Sequence, residues 1–282
     1  MITKNSNEII KEINNLKLNH DHSDFKLNEL MDLPSYNGIA EFKFKEFNFY
    51  MLNIAKDDGV VLKYLWRDEY ENKSLNLWYD ITRGDGFCID IGAHTGIYSV
   101  IGSLNKELSL TISIEPHFLN FARLLDNLKI NSLSAKNCYM AAASNQNGTM
   151  KFEASINTYH TSGGKISDKG NMSVNTVMID NINFSKNVIA MKIDTEGYEY
   201  KVLEGAKKII QNHKPEIIFE INRESLNSSI NLLKKFGYKF YFIDEENKSF
   251  FQINEFEDSL IKNEGSNCYA TLKELPSKFN TK

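Results

Sequence analysis

Cysteine is scarce in this chain: three residues in 282 (Cys88, Cys138 and Cys268), with no Cys-x-x-Cys pair. A sparse, odd count argues against a disulfide framework and fits reduced thiols in a cytoplasm. Long apolar runs are absent too. No stretch approaches the roughly 18 consecutive apolar residues of a membrane span. The opening residues Met1 to Ser6 are polar and lack the apolar core of a signal peptide. The expected location is therefore the cytoplasm, with no membrane span. Positive charge is not in excess: 33 Lys and Arg stand against 37 Asp and Glu, a net charge of −4. Nothing in that balance announces a nucleic-acid partner. There is no internal repeat.

What is present is ordinary for a soluble globular protein, with 41% hydrophobic and 25% charged residues. The length allows one large domain, or one domain with an appendage. Residues 1–83 read as an N-terminal cap that selects the acceptor, and residues 84–282 as an α/β body. The cap has an amphipathic helix carrying Ile9, Ile10, Ile13 and Leu16. A hairpin follows, with alternation in Phe42-Lys43-Phe44 and Phe47-Asn48-Phe49, and then helical stretches over Val60–Tyr70 and Leu75–Ile81. In the body, strands and helices alternate, which predicts a mostly parallel sheet wrapped by helices. The third strand is expected over Asn137–Ala143 and one helix over Tyr198–Asn212. A polar loop over Ser155–Asn171, holding Tyr159 and His160, reads either as a segment that closes over the acceptor or as a disordered surface insertion.

The most telling stretch is Phe87-Cys88-Ile89-Asp90-Ile91-Gly92-Ala93-His94-Thr95-Gly96. It reads as strand, glycine turn and helix start, the arrangement by which open α/β sheets bind nucleotide-like ligands. Asp90 is expected to accept backbone N–H bonds and hold the turn open. Glu115, closing the next strand 25 residues after Asp90, stands where such folds place the carboxylate that grips a ribose. A dinucleotide fingerprint would need glycines where this chain has His94 and Ile97, and a phosphate-binding loop would need a lysine that is absent. S-adenosyl-L-methionine has a nucleoside without phosphate. Its methionine end can lie over the turn, with its carboxylate near the helix N-terminus. His94 is assigned to a cofactor contact rather than to a metal, since no second ligand is spaced beside it.

A second constellation is Lys192-Ile193-Asp194-Thr195-Glu196-Gly197 at the end of the fourth strand. Lys192 and Asp194 share a strand face by the period of two. A buried strand does not carry such charges without a partner or a purpose. They read either as a structural ion pair followed by a helix-start acid, or as the machinery of methyl transfer to a hydroxyl. In the second case Asp194 or Glu196 takes the proton and Lys192 orients a carboxylate or offsets the alkoxide charge. Glu220 and Asp180 are secondary candidates that would equally serve as helix anchors. A divalent metal held by Asp194, Glu196 and Glu220 is the weakest of these options, and no metal is expected.

Four blocks in order resemble the FkbM family of class I S-adenosylmethionine-dependent methyltransferases, over about Asp85 to Tyr241. They are Ile89–Gly96; Ile114–His117 with Asn120, Asn127 and Asn131; Ala141–Ser144 with Asn147-Gly148; and Lys192–Gly197 with Glu199, Leu203 and Gly205-Ala206. His94 stands where the family commonly has Asn, and Thr195 where it has Val. The resemblance implies a Rossmann-like sheet of seven strands with the last antiparallel. It implies that Asp90, Gly92 and Glu115 contact or shape the cofactor site. His94, Thr95, Gly96, Pro116 and Ala142, from the same blocks, complete the expected contacts. It also implies O-methylation of a sugar, glycan or secondary metabolite. A nicotinamide-dependent oxidoreductase on the same fold class, or a non-catalytic nucleoside-binding module, remain the competing readings.

Overall fold

The computed structural model of the chain describes residues 6–23, 25–54, 56–105, 110–154, 163–253 and 266–275. The N-terminal part runs α1 (Ser6–Asn19), α2 (Leu27–Asp32), the hairpin β1 (Gly38–Phe44) and β2 (Phe47–Asn53), α3 (Gly59–Arg67) and α4 (Asn72–Ile81). Asp58 starts α3 by accepting the N–H groups of Val60 and Val61, at 2.8 and 3.3 Å. Next come β3 (Phe87–Ile91), α5 (Ile97–Leu104), β4 (Leu110–Ile114), α6 (Phe118–Ile130) and β5 (Cys138–Tyr139). A smaller sheet interrupts the alternation: β6 (Ala142–Ala143), β7 (Gly148–Glu153), β8 (Lys165–Ile166) and β9 (Met172–Val177). The chain then continues through β10 (Val188–Ile193), α7 (Glu199–Glu204), α8 (Lys207–His213), β11 (Glu216–Glu220), α9 (Leu226–Lys234), β12 (Lys239–Asp244), β13 (Ser249–Ile253) and β14 (Asn267–Thr271).

The main sheet has the order β13-β12-β14-β11-β10-β3-β4-β5. Strands β5, β4, β3, β10 and β11 are parallel, and β14 runs antiparallel between β11 and β12. This is the expected Rossmann-like α/β sheet with an antiparallel last strand. It has eight strands among the described residues rather than seven, because β12 turns back into the edge hairpin strand β13. All five residues of β3 are buried, as a central parallel strand covered on both faces requires. One core lies on one face of the sheet and is shared with the N-terminal part (Ile13, Phe49, Trp78, Tyr98). The other lies on the opposite face (Ile89, Met191, Leu203, Phe219). Among the described residues no helix is long and apolar enough to cross a membrane.

Two expected elements differ from what is found. The third strand is split: Ala141 N–H turns back onto Tyr139 C=O, so Cys138–Tyr139 stays beside β4 while Ala142–Ala143 leaves to pair with β9. The expected helix over Tyr198–Asn212 breaks into α7 and α8 at Gly205-Ala206. A side chain at Gly205 would lie 1.9 Å from Ser144 C=O, so the helix meets the neighbouring backbone there. Asp180 N–H takes the Gly205 carbonyl, and the Asp180 carboxylate accepts Lys208 and Ile209 N–H at the start of α8. Asp180 is thus a helix anchor.

The asparagines of α6 tie the N-terminal hairpin to the body. Asn131 both accepts from Tyr50 N–H and donates to Tyr50 C=O, and Asn127 accepts from Leu52 N–H at 2.7 Å. Arg123 donates to Leu52 C=O and pairs with Asp57. Three side chains at four-residue spacing share one helix face and satisfy the open edge of β2. Asn127 also donates to Thr95 C=O in the glycine turn at 2.7 Å.

Candidate functional site

Strand order reverses between β3 and β10, the point at which open α/β sheets leave a crevice beyond their carboxyl ends. A cleft of about 1160 Å³, solvent mouth included, opens there. Its floor is the turn after β3 and the turn after β10. One wall is the smaller sheet, through Ala142, Phe152 and Gly163–Ile166; the other comes from the N-terminal part, through Val60, Lys63 and Tyr70.

The first turn is held by three backbone N–H groups. Gly92 and Ala93 donate to Ile114 C=O, and His94 donates to Glu115 Oε2 at 2.8 Å. The other Glu115 oxygen, Oε1, accepts His117 N–H at 2.8 Å. Glu115 is buried and its carboxyl is pushed up by that burial, against the pull of His94 and of the backbone donors. Glu115, not Asp90, is therefore the carboxylate that clamps the turn. Asp90 points its charge elsewhere: Oδ2 accepts the Ser99 hydroxyl of α5 at 2.6 Å, and Ser99 and Ser113 share a further bond at 2.7 Å. Burial pushes the Asp90 carboxyl up to about 6, with Ser99 and Lys192 opposing.

Gly92 has φ +75°, and a side chain on it would meet Asp194 C=O at 1.6 Å. The glycine is needed for the interlock of the two turns as well as for any ligand above them. Asp194 N–H completes the interlock by donating to Ile91 C=O at 2.9 Å.

The second turn, Asp194–Tyr198, has its own clamp. Glu199, fully buried, accepts Thr195 N–H, Thr195 O–H and Gly197 N–H on Oε1, at 3.0–3.1 Å, and the Ser225 hydroxyl on Oε2 at 2.5 Å. Lys192 is 1% exposed and donates to Asp194 Oδ2 at 2.8 Å, whereas Asp194 is 31% exposed and lines the cleft. Burial opposes the charge on Lys192. Asp194 and Glu71 outweigh it, with Glu220 adding to them, and hold the amine above its ordinary value. Glu196 has φ +55°, a left-handed backbone rare for a bulky residue, and is exposed at the cleft mouth. Its carboxyl is pushed up, first by the protein around it and then by Asp194 and Glu199.

Of the residues expected at the site, Asp90, Gly92, His94, Glu115, Pro116, Ala142, Lys192, Asp194 and Glu196 line this one cleft. Thr95 and Gly96 do not: Thr95 is buried behind the turn, and Gly96 starts α5 against Leu124. Both belong to the turn's framework. Tyr159 and His160 lie outside the described residues, while Gly163–Ile166 of the same loop do reach the cleft. Glu220 ends β11 with Oε2 buried and unbonded. Its carboxyl is pushed up by burial, then by Asp194 and Glu196. Among the described residues no group of three His, Cys, Asp or Glu side chains is placed to hold a metal ion.

Sequence reasoning assigned no role to three contributors. Tyr70 and Tyr98 line the cleft, and Glu199 fixes the second turn. The signal for Glu199 was available, as an acid in the first turn of a helix directly after the Lys192–Gly197 stretch. Tyr70 reaches the cleft through tertiary packing alone.

The profile of the family described as "Methyltransferase FkbM domain" matches residues 90–240, just over half of the chain. No curated protein matches. Solved structures that resemble the chain include a methyltransferase FkbM from Methylobacillus flagellatus KT, at 15% identity and TM-score 0.45, over 75% of this chain and 53% of that one. A precorrin-6y C5,15-methyltransferase from Geobacter metallireducens GS-15 matches at 15% identity and TM-score 0.41, over 71% and 87% of the two chains. The Pyrococcus abyssi tRNA (uracil-54, C5)-methyltransferase, solved with S-adenosyl-L-homocysteine, matches at 9% identity and TM-score 0.42, over 84% and 44%. The chain thus spans about half the length of the first of these structures.

Proposed function

Given that this chain belongs to the FkbM methyltransferase family, we propose that it is an S-adenosyl-L-methionine-dependent O-methyltransferase acting on a hydroxyl of a sugar, glycan or secondary metabolite. The observation that carries the reading is the Glu115 carboxylate. It is buried at the cleft floor, and each of its oxygens is fixed by one backbone N–H. Asn120 adds a side-chain hydrogen bond, and the carboxylate still faces the cleft, where its two oxygens suit the two adjacent hydroxyls of a ribose. Pro116 and Ala142 supply apolar surface beside it for a base, and the turn Gly92–His94 lies before the N-terminus of α5, where a carboxylate is favoured. The donor set therefore fits a nucleoside bearing an amino-acid tail. When bound, that cofactor supplies a methyl group on an electrophilic sulfonium.

The protein's part is to hold the acceptor and take its proton. Asp194 is the general base in this reading. Lys192 holds its Oδ2 from below, leaving Oδ1 without a hydrogen-bond partner among the described residues. Glu196 faces the acceptor from the mouth. Tyr70, Tyr198 and Lys63 offer the aromatic faces and polar tips that suit a sugar. Transfer of label from methyl-labelled S-adenosyl-L-methionine to a panel of glycans and small hydroxylated acceptors tests the reaction. The expected result is labelled ether that is lost in Asp194→Asn. Folded protein that binds neither the donor nor S-adenosyl-L-homocysteine in calorimetry overturns the reading.

A further inference from the structure

Lys192 is a fully buried ammonium with one hydrogen-bonded carboxylate, Asp194. A buried charge of that kind is costly unless more negative charge surrounds it. Asp90 is its register partner on β3, and Glu220 ends the neighbouring β11. Glu71 approaches from a different part of the chain, directly before α4 and outside the matched family region. Tyr98 stands between the two. Lys192 Nζ lies 5.0 Å from the centre of its ring, and its hydroxyl donates a short hydrogen bond to Glu71 Oε2. The same Oε2 accepts Asn267 Nδ2 at 3.1 Å. Glu71 has φ +40°, a strained backbone for a glutamate that persists where the surroundings over-determine it. Tyr98 itself lines the cleft.

We propose that Glu71 is a positioning residue of this cleft: acting through Tyr98, it biases the floor toward a cationic sulfonium over the neutral thioether that remains after transfer. The proposal rests on the cofactor reading above. A phenol that donates to a carboxylate is more electron-rich, and its ring face attracts cations more strongly. The Glu71 charge, held at the hydroxyl edge of the ring, also acts directly on a positive centre in the cleft with little solvent between. The consequence is a floor that holds the methyl donor and lets the spent product go.

Calorimetry on the full chain, with S-adenosyl-L-methionine and S-adenosyl-L-homocysteine at one pH, reads this directly as the ratio of their dissociation constants. Glu71→Gln is expected to move that ratio toward the product by about threefold to tenfold. A folded Glu71→Gln that weakens both ligands equally, or neither, overturns the proposal, since a purely structural role moves the two together. If Glu71→Gln fails to fold, Tyr98→Phe decides. It keeps the ring and drops the hydrogen bond, and the same shift, at least about twofold, is expected; an unchanged ratio overturns the proposal. Wild-type protein that binds neither ligand removes the cofactor reading, and this proposal with it.

Discussion

The two strand-to-helix turns at the sheet's reversal point are built alike and used differently. Each follows a buried parallel strand, and each is fixed by one glutamate that accepts backbone N–H groups: Glu115 for the turn after β3, Glu199 for the turn after β10. Glu115 opens onto the cleft; Glu199 is sealed, its last oxygen taken by Ser225. The strands before them differ in the same sense, with Asp90 and Lys192 side by side in register. A carboxylate that faces a cavity is available to a ligand, and one buried away from it, with its bonds made inside the protein, is committed to the fold.

The sharpest way to break this comparison is at the interlock. Gly92→Ala places a methyl group on Asp194 C=O at a left-handed φ. A loss of more than about 4 kcal/mol, or failure to fold, is expected in urea unfolding. Next, Glu199→Ala strips four hydrogen bonds from a buried turn. Stability should fall by about 3 kcal/mol. S-adenosyl-L-homocysteine affinity of the molecules that remain folded should change by less than about threefold.

Glu115→Gln should do the reverse. One oxygen still accepts N–H while the new amide NH2 meets the other donor, so stability should fall by about 1–2 kcal/mol, less than for Glu199→Ala, while calorimetric affinity for S-adenosyl-L-homocysteine falls about 100-fold with the charge-assisted bonds. Equal effects of the two glutamates on stability and on binding would erase the distinction between them.

The smallest expected effect concerns Asp90. Its folded carboxyl sits near 6 instead of 3.8, so the folded state binds the proton more tightly than the unfolded chain does. Stability from this group is therefore highest below about pH 4 and declines as pH rises to about 6. Asp90→Asn should flatten that decline, gaining up to about 2 kcal/mol above pH 6 once the altered Ser99 bond is counted against it. Thermal melts from pH 4 to 7 read it. A slope unchanged in the variant would assign the pH dependence to another carboxyl.

Much of this was legible before any coordinates. The strand ending in Asp90, the glycine turn and the Glu115 position are local patterns, and local patterns survive folding. So is the charge that Lys192 places on a buried strand, with Asp194 in the turn directly after it. What failed was assignment of partners. Sequence gives Asp90 proximity to the turn, but the pleat aims its side chain at Ser99 on α5. Thr95 and Gly96 sit within the motif yet turn away, because the chain is already entering a helix there. Glu71, Tyr70 and Tyr98 could not be grouped at all. The first two lie before the matched region, and they meet the third only when α4 packs against α5. The broken helix at Gly205 belongs to the same class, since its cause is a carbonyl more than fifty residues away in sequence.

The asparagine ladder of α6 limits what can be exchanged between relatives. A chimaera that grafted a foreign segment in place of the first 53 residues would present a new strand to Arg123, Asn127 and Asn131. Asn127 also grips Thr95, so a poorly matched graft would loosen the loop beside Glu115 as well as the hairpin. The N-terminal hairpin is therefore not a detachable cassette in this chain: whoever exchanges it has to carry the helix along with it.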